Sequence, residues 1–168
     1  MSRATSAQVP TFSLCRGRAE LIVVRGCEFP EDRHYHADYN VWVQGGAKGV
    51  MTLGATSYGV ALAIEFFAFT PKAAGTRLEA GRAVGLLELS KTVVSVRTPV
   101  AGTLVEVNLA AVARPALISE DPYGAGWLVR LSSRVEPETG DGLLSGAAVA
   151  PAFEQEMMLE NFAGPPIA

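Results

Sequence analysis

Charge is scarce in this 168-residue chain: 18% of residues are Asp, Glu, Lys or Arg, and the net charge is −3. No run of basic residues occurs, which argues against the electrostatic footprint of a nucleic-acid binder. Long hydrophobic runs are missing too. The longest, Val60 to Phe69, is broken by Glu65 and falls short of the roughly 20 residues needed to span a bilayer. Cysteine is limited to Cys15 and Cys27, twelve apart (27 − 15), and two thiols cannot complete a four-ligand zinc site. They read as unpaired thiols of a reducing compartment, with a disulfide or a redox partnership with a bound dithiol as the alternative. Histidine is limited to His34 and His36. Residues two apart on a strand share a face, so weak metal binding is allowed, but two ligands fall short of a metal site. A turn-stabilising or surface role is the simpler reading. The glycines of Gly45 to Gly49 (GGAKG) lack the spacing and the Ser/Thr of a phosphate-cradling loop, and no nucleophile–base constellation stands out. The chain is a poor candidate for an enzyme.

What the chain has is apolar content, 49%, enough for one domain with a real core. Residues 1–18 carry Arg3, Arg16 and Arg18, no acid and several Ser/Thr. That composition mimics a transit peptide, yet it lacks amphipathic periodicity and reads as a flexible tail. With no membrane span, the expected location is the cytoplasm. Residues 19–135 read as the main domain. Ala19 to Arg25 predict a first strand, and GCEFPEDRHY (residues 26–35) reads as turn-rich. Asn40 to Gln44 and Val50 to Ala55 predict strands around the GGAKG turn. Thr56 is a candidate N-cap for a helix over Ser57 to Ala63, followed by a strand over Ile64 to Phe69. Val112 to Leu117 includes a helical turn, and Trp127 to Leu131 forms a last strand. Many short strands with frequent turns indicate an all-β sandwich or barrel. Residues 136–168 form a C-terminal extension. In it Phe153/Met157 and Met158/Phe162 are (i, i+4) pairs, predicting a short amphipathic helix that packs on the body or docks a partner.

The most informative stretch runs from Glu79 to Asn108, EAGRAVGLLELSKTVVSVRTPVAGTLVEVN. Two β-branched, apolar arms flank Lys91 and read as a hairpin with the lysine at its tip. Gly81 lies ten residues before Lys91 and Gly102 eleven after it (91 − 81, 102 − 91), so both arms end in turn chemistry. A lone surface lysine is ordinarily just solvated. Three neighbours change that reading: Glu88 three residues upstream, TPVAG from Thr98 to Gly102, and RPALISEDPYGAGWLVRL from Arg114 to Leu131.

Together these residues resemble the H protein of the glycine cleavage system, a lipoyl carrier, over roughly residues 29–131. The matching positions are Glu88, Lys91, Pro99 to Gly102, Asn108, Glu120 to Gly124 (with Asp121, Pro122 and Tyr123), and Gly126, Trp127 and Leu128. Biotinyl carriers share the hairpin geometry but place Met on both sides of the lysine; Ser90 and Thr92 stand there instead. The resemblance implies a mainly β fold, a flattened lipoyl-type β-sandwich (barrel-sandwich hybrid, or hammerhead) with short helices. It implies lipoate amide-linked to Lys91, attached by a lipoate ligase or lipoyl transferase. Glu88, Leu89, Ser90 and Thr92 would then be read by ligase and partners, with Gly81, Pro99, Gly102, Asn108 and the DPYGAGW residues structural. The implied partners are glycine decarboxylase, aminomethyltransferase and dihydrolipoamide dehydrogenase. Two departures stand out: Leu89-Ser90-Lys91-Thr92 replaces the usual Ser-Val-Lys-Ala, and Asn40-Val41-Trp42 replaces His-Glu-Trp. Residues 26–43 instead resemble divergent lipoate-binding carriers of heterodisulfide-reductase-like sulfur oxidation, whose partner would be the heterodisulfide-reductase-like complex. An unmodified structural module is the third reading.

Overall fold

The computed structural model describes residues 19–138 and 142–167. The expected tail, Cys15 included, lies outside them. Among the described residues twelve strands and four α-helices follow in chain order, and three antiparallel sheets carry the architecture. Strands β1 (Leu21–Val24) and β2 (Cys27–Pro30) make a two-stranded ribbon. Its two-residue turn places Arg25 and Gly26 at φ 45° and 84°, the positive values a twist-matched hairpin turn requires. A seven-stranded sheet runs in the order β12 (Leu143–Leu144), β3 (His34–His36), β4 (Val41–Gly45), β5 (Val50–Ala55), β11 (Val129–Ser132), β10 (Gly102–Val107), β7 (Arg77–Leu78). The third sheet, β6 (Phe66–Pro71), β8 (Ala83–Leu89) and β9 (Val93–Arg97), contains the lysine hairpin. The sheets do not close; this is a lipoyl-type β-sandwich with short helices, as expected. Among the described residues no helix is long and apolar enough to cross a membrane.

Two cores lie on opposite faces of the large sheet. Val41, Val43, Leu53, Val129, Leu131 and Leu104 face the main core, which the hairpin sheet covers with Phe69, Leu87 and Val96. Trp42 and Tyr35 point the other way into a second core with Phe29, Tyr58, Phe153 and Met157. Trp42 is 1% exposed, and its Nε1 donates to the Pro122 carbonyl at 3.0 Å. Its ring lies so close to Gly54 that a Cβ there would sit 2.6 Å from it. Only glycine fits beneath the indole.

Helix α1 (Ser57–Ala63) starts where expected, with the Thr56 hydroxyl accepting from Gly59 N–H at 3.0 Å. The next strand begins two residues later than predicted. Ile64 sits at φ 64°, ψ −56°, and Glu65 N–H donates to the Ala63 carbonyl at 2.7 Å, a γ-turn that breaks the chain between helix and strand. The turn-rich reading of residues 26–35 is corrected: β2 and β3 both form there. Cys27 and Phe29 are buried while Glu28 is exposed, a period-two burial pattern that defines a strand even though it ends on Pro30. The helical turn expected over Val112 to Leu117 is two short helices, α2 (Leu109–Ala113) and α3 (Leu117–Glu120).

Beyond residue 135, β12 pairs with β3 and α4 (Val149–Leu159) packs into the second core. Phe153 and Met157 are fully buried, whereas Met158 is 61% exposed. Of the two expected pairs, the first faces inward; the second is split, with Phe162, beyond the end of α4, packed on Tyr58 at 5.0 Å between centroids. Arg25 fastens this segment, donating to Glu154 Oε1 at 2.7 and 2.9 Å and to the Phe162 carbonyl at 2.7 Å. Cys27 is a buried free thiol, and burial pushes its pKa up against the opposing Ser57 hydroxyl.

Trp42→Ala, which empties the centre of the second core, is expected to lower unfolding free energy by about 3–5 kcal/mol. Trp127→Ala, at a ring that is only half-buried, should cost clearly less. Urea unfolding of the two variants followed by circular dichroism checks the order.

Candidate functional site

The hairpin that carries Lys91 is built by regular pairing: Leu86 opposes Ser95, Leu87 opposes Val94 and Glu88 opposes Val93. It closes when Leu89 N–H donates to the Thr92 carbonyl at 2.8 Å, leaving Ser90 and Lys91 at the tip. Side chains alternate across a strand. Leu87 is buried and Leu89 half-buried on the inner face; Leu86 and Glu88 are exposed on the outer one. Lys91, Ser90 and Thr92 are all exposed. Among the described residues Lys91 makes no hydrogen bond and no ion pair, and Glu88 makes no ion pair.

The base of the hairpin is pinned by the elements the sequence singled out. Gly81, at φ 83°, donates its N–H to the Thr98 carbonyl at 2.7 Å, and Thr98 N–H returns a bond to Arg82 at 3.0 Å. Buried Thr98 turns the chain, its hydroxyl donating to the Val100 carbonyl at 2.6 Å, with Pro99 buried beside it. Gly102 then opens β10.

Asn108 joins this region to the DPYGAGW segment. It is 5% exposed. Its Oδ1 caps α2 by accepting from Ala111 N–H at 3.4 Å, and its Nδ2 donates to the Ala125 and Trp127 carbonyls at 2.8 and 2.7 Å. Asp121 Oδ2 accepts from Ala125 N–H at 2.8 Å, Gly126 N–H donates to the Asp121 carbonyl at 2.8 Å, and Gly124 packs against the Asp121 carboxylate. Pro122 accepts from Trp42. The Tyr123 hydroxyl donates to the Glu28 carbonyl at 2.6 Å and accepts from Ser57 N–H at 3.0 Å; burial pushes its pKa up to about 12. Trp127 packs against the second core, half-buried, with the Arg130 guanidinium 4.3 Å over its ring. Among the described residues none of these groups bonds to Lys91. Their geometry is that of a brace.

Beside the hairpin opens a cleft of about 460 Å³ between α1, β6, β8 and β9. Leu62, Phe66, Leu87, Leu89 and Val94 make it mainly apolar, and Asn40 and Tyr39 close one side. Asn40 Oδ1 is buried without a partner. Tyr39 is stacked on His36 at 3.8 Å between centroids, 9° between planes, and the Arg97 guanidinium lies 5.9 Å from its ring. The sequence reading did not reach this cleft, because its walls come from segments far apart in the chain. His34 and His36 belong to no metal cluster: among the described residues no group of three or more His, Cys, Asp or Glu could hold an ion.

Lysine hairpin, apolar cleft and braced sandwich define the class, a hammerhead-type β-sandwich domain. Residues 33–156 match the family model described as "Glycine cleavage H-protein". The chain is 36% identical over 141 residues to glycine cleavage system H protein 5 of Aquifex aeolicus, covering 82% of this chain and 95% of that one. It is 42% identical over 123 residues to the glycine cleavage system H protein of Beutenbergia cavernae, covering 72% and 93%. The crystal structure of a glycine cleavage system H protein from Mycobacterium marinum is similar with a TM-score of 0.65 at 34% identity, covering 76% of this chain and 98% of that one. The chain belongs to the glycine cleavage H-protein family.

Asn108→Ala removes the α2 cap and two buried bonds at once, and should cost about 2–4 kcal/mol in a denaturation experiment. His36 is the second test. Burial lowers its pKa below the ordinary 6.5, opposed by the Asp38 charge. The unfolded chain therefore binds the proton more readily. Its contribution to stability is present above pH 6.5 and lost as pH falls through the folded value. Melting temperature should drop on acidification below pH 6.5, and His36→Phe should flatten that dependence.

Proposed function

We propose that this protein is a lipoyl-bearing carrier that presents lipoate, amide-linked to Lys91, to the enzymes of glycine cleavage. The observation that carries the reading is the placement of Lys91: exposed, unpaired among the described residues and set at the tip of a hairpin whose base is pinned. Such a lysine costs the fold nothing to modify. The residues present also fit the group. Acylation discharges the ammonium and leaves an apolar chain, and Leu89 and Val94 offer apolar surface at the cleft mouth beside the tip. When bound, lipoate supplies a dithiolane that exchanges with thiols and carries a one-carbon or sulfur substituent.

Everything else is done by the chain. The Thr98 turn, bonded to Gly81 and Arg82, holds the hairpin's base, and Asn108 braces the segment after β10. Ser90 and Thr92 flank the acylated lysine with small side chains that leave the tip accessible, and the tether raises the arm's effective concentration at each partner. A lipoate ligase or lipoyl transferase would load the arm. Glycine decarboxylase, aminomethyltransferase and dihydrolipoamide dehydrogenase would use it in turn. The glycine branch is preferred over sulfur oxidation because the named relatives are glycine cleavage proteins; nothing in the geometry favours the sulfur branch.

Expression with a lipoate ligase and lipoate should add one lipoyl group to the intact mass, and Lys91→Arg should abolish the addition, since Arg keeps the charge but offers no acylable amine. Lys48 and Lys72 should stay unmodified. The lipoylated protein should then support glycine-dependent CO2 exchange with a glycine decarboxylase. Modification that persists in Lys91→Arg overturns the site. Complete lipoylation without exchange overturns the glycine assignment and leaves the sulfur branch as the alternative.

A further inference from the structure

Of the two histidines that the sequence singled out, His36 is built into one wall of the apolar cleft. It ends β3 and is 9% exposed. The turn into β4 is closed by Asn40 N–H donating to the Ala37 carbonyl at 3.1 Å, with Asn40 itself at φ 53°. Inside that turn Tyr39 N–H donates to His36 Nδ1 at 3.4 Å, and the two rings lie stacked face to face. Tyr39 is half-buried and lines the cleft. Its hydroxyl lies against Gly81, where a Cβ would stand 3.4 Å from it. On its other side His36 is pressed by Gly142, where a Cβ would come within 2.6 Å of Nε2. One imidazole and one phenol therefore link the approach to β12, the cleft wall and the glycine at the hairpin's base.

We propose that Tyr39 is a gate on the cleft and neutral His36 its latch: protonation of the imidazole releases Tyr39 and opens the cleft beside the hairpin's base. This holds whatever Lys91 carries. A neutral imidazole can accept at Nδ1, whereas in the imidazolium both nitrogens donate, so the Tyr39 N–H would then meet a second donor. The groups around the ring set the sign. Asp38 in the turn favours the cation, and so does the face of the Tyr39 ring. Against them stand burial, the Arg97 guanidinium 5.9 Å from the same tyrosine ring, and His34 two residues back on the same face of β3. The residues paired with His36, Val41 on β4 and Leu143 on β12, are apolar. Burial outweighs Asp38 and holds the imidazole below its ordinary 6.5, so the latched state resists the proton. With Tyr39 displaced, water reaches the ring and that resistance is relieved. Linkage then fixes the direction. The closed gate is fully favoured above pH 6.5 and is lost as pH falls through the latched value.

The test is an NMR titration of the full chain from about pH 8 to about pH 5, the range in which histidine changes charge, with far-UV circular dichroism confirming that the fold persists. The Tyr39 and Gly81 amides should shift with the same midpoint as the His36 ring protons, below pH 6.5. Nile red, a neutral apolar dye, should bind on the order of tenfold more tightly at the acid end. His36→Phe keeps a ring to stack but cannot titrate, and both responses should vanish. Tyr39→Ala removes the gate, so dye binding should be tight at both ends. Asp38→Asn should move the midpoint lower still, and His34→Gln, the control, should leave both responses in place. Tyr39 and Gly81 amides that stay still while His36 titrates overturn the latch. Dye binding that is flat in the unsubstituted chain, or that keeps its pH dependence in Tyr39→Ala, overturns the gate.

Discussion

Three consecutive residues, Val41, Trp42 and Val43, are all buried, at 2%, 1% and 0% exposure. A strand can do this only when both faces of its sheet are covered, and the rest of the fold follows from meeting that requirement. The hairpin sheet covers the valine face; the β1–β2 ribbon, α1 and α4 cover the tryptophan face. The Trp42 indole then reaches out of its sheet to the Pro122 carbonyl, and Arg33, 4.7 Å from the Trp42 ring and 5.3 Å from that of Tyr123, fills the space between them. The turn after α3 is therefore held by the second core. Through Asn108 it is also held by the helix that follows β10. One doubly covered strand ties the carboxy-terminal helix to the scaffold of the lysine hairpin.

That arrangement explains why the hairpin can be both exposed and rigid. An isolated two-stranded hairpin is marginal in water, and β9 is almost wholly exposed apart from Val96. Its order comes from β8, which is paired on both sides, to β6 and to β9, and plants Val84 and Leu87 on the main core beside Val96 of β9. The tip adds no packing of its own. Rigidity at the base and freedom at the tip are thus separate properties with separate residues. A change at Ser90 or Thr92 can alter recognition with little effect on stability, while a change at Thr98 or Asn108 acts on the whole scaffold.

Much of this was legible because local chemistry and final environment agree. The Ser57–Ala63 helix with its Thr56 cap, the Val50–Ala55 strand and the lysine hairpin formed where composition placed them. Misreadings fell where tertiary contacts outvote local signals. Residues 26–35 contain Pro30 and Asp32, yet β2 and β3 form there around a short turn, because Phe29 and Tyr35 are claimed by Phe153 from the far end of the chain, with ring centroids 4.3 and 6.1 Å away. The strand expected from Ile64 starts at Phe66 because of a γ-turn that nothing in the sequence signals. Trp127, set in a specific motif, is half-buried; Trp42, in a plainer strand, is the core residue. The motif marked a turn and its hydrogen bonds, which glycine, aspartate and asparagine announce, rather than the depth of a ring.

The cleft shows the limit of sequence reading in its sharpest form. Tyr39, Phe66, Leu89 and Val94 converge only because β6 and β9 flank β8 and α1 lies across their inner side. Each is unremarkable on its own strand. The lysine tip is the reverse case, since two adjoining arms and a short turn suffice to create it. A carrier needs both kinds of feature. Its attachment point must be recognisable by another enzyme from local surface, so it is written in contiguous residues. The apolar cleft is assembled by the fold, so it is written across the chain. The bulge at Phe67, an extra residue between the Phe66–Leu89 and Ala68–Glu88 pairs, sits between these regimes. Its register shift belongs to the pairing of distant strands, but the side chain it turns outward stands beside the contiguous signal of Glu88 and Lys91.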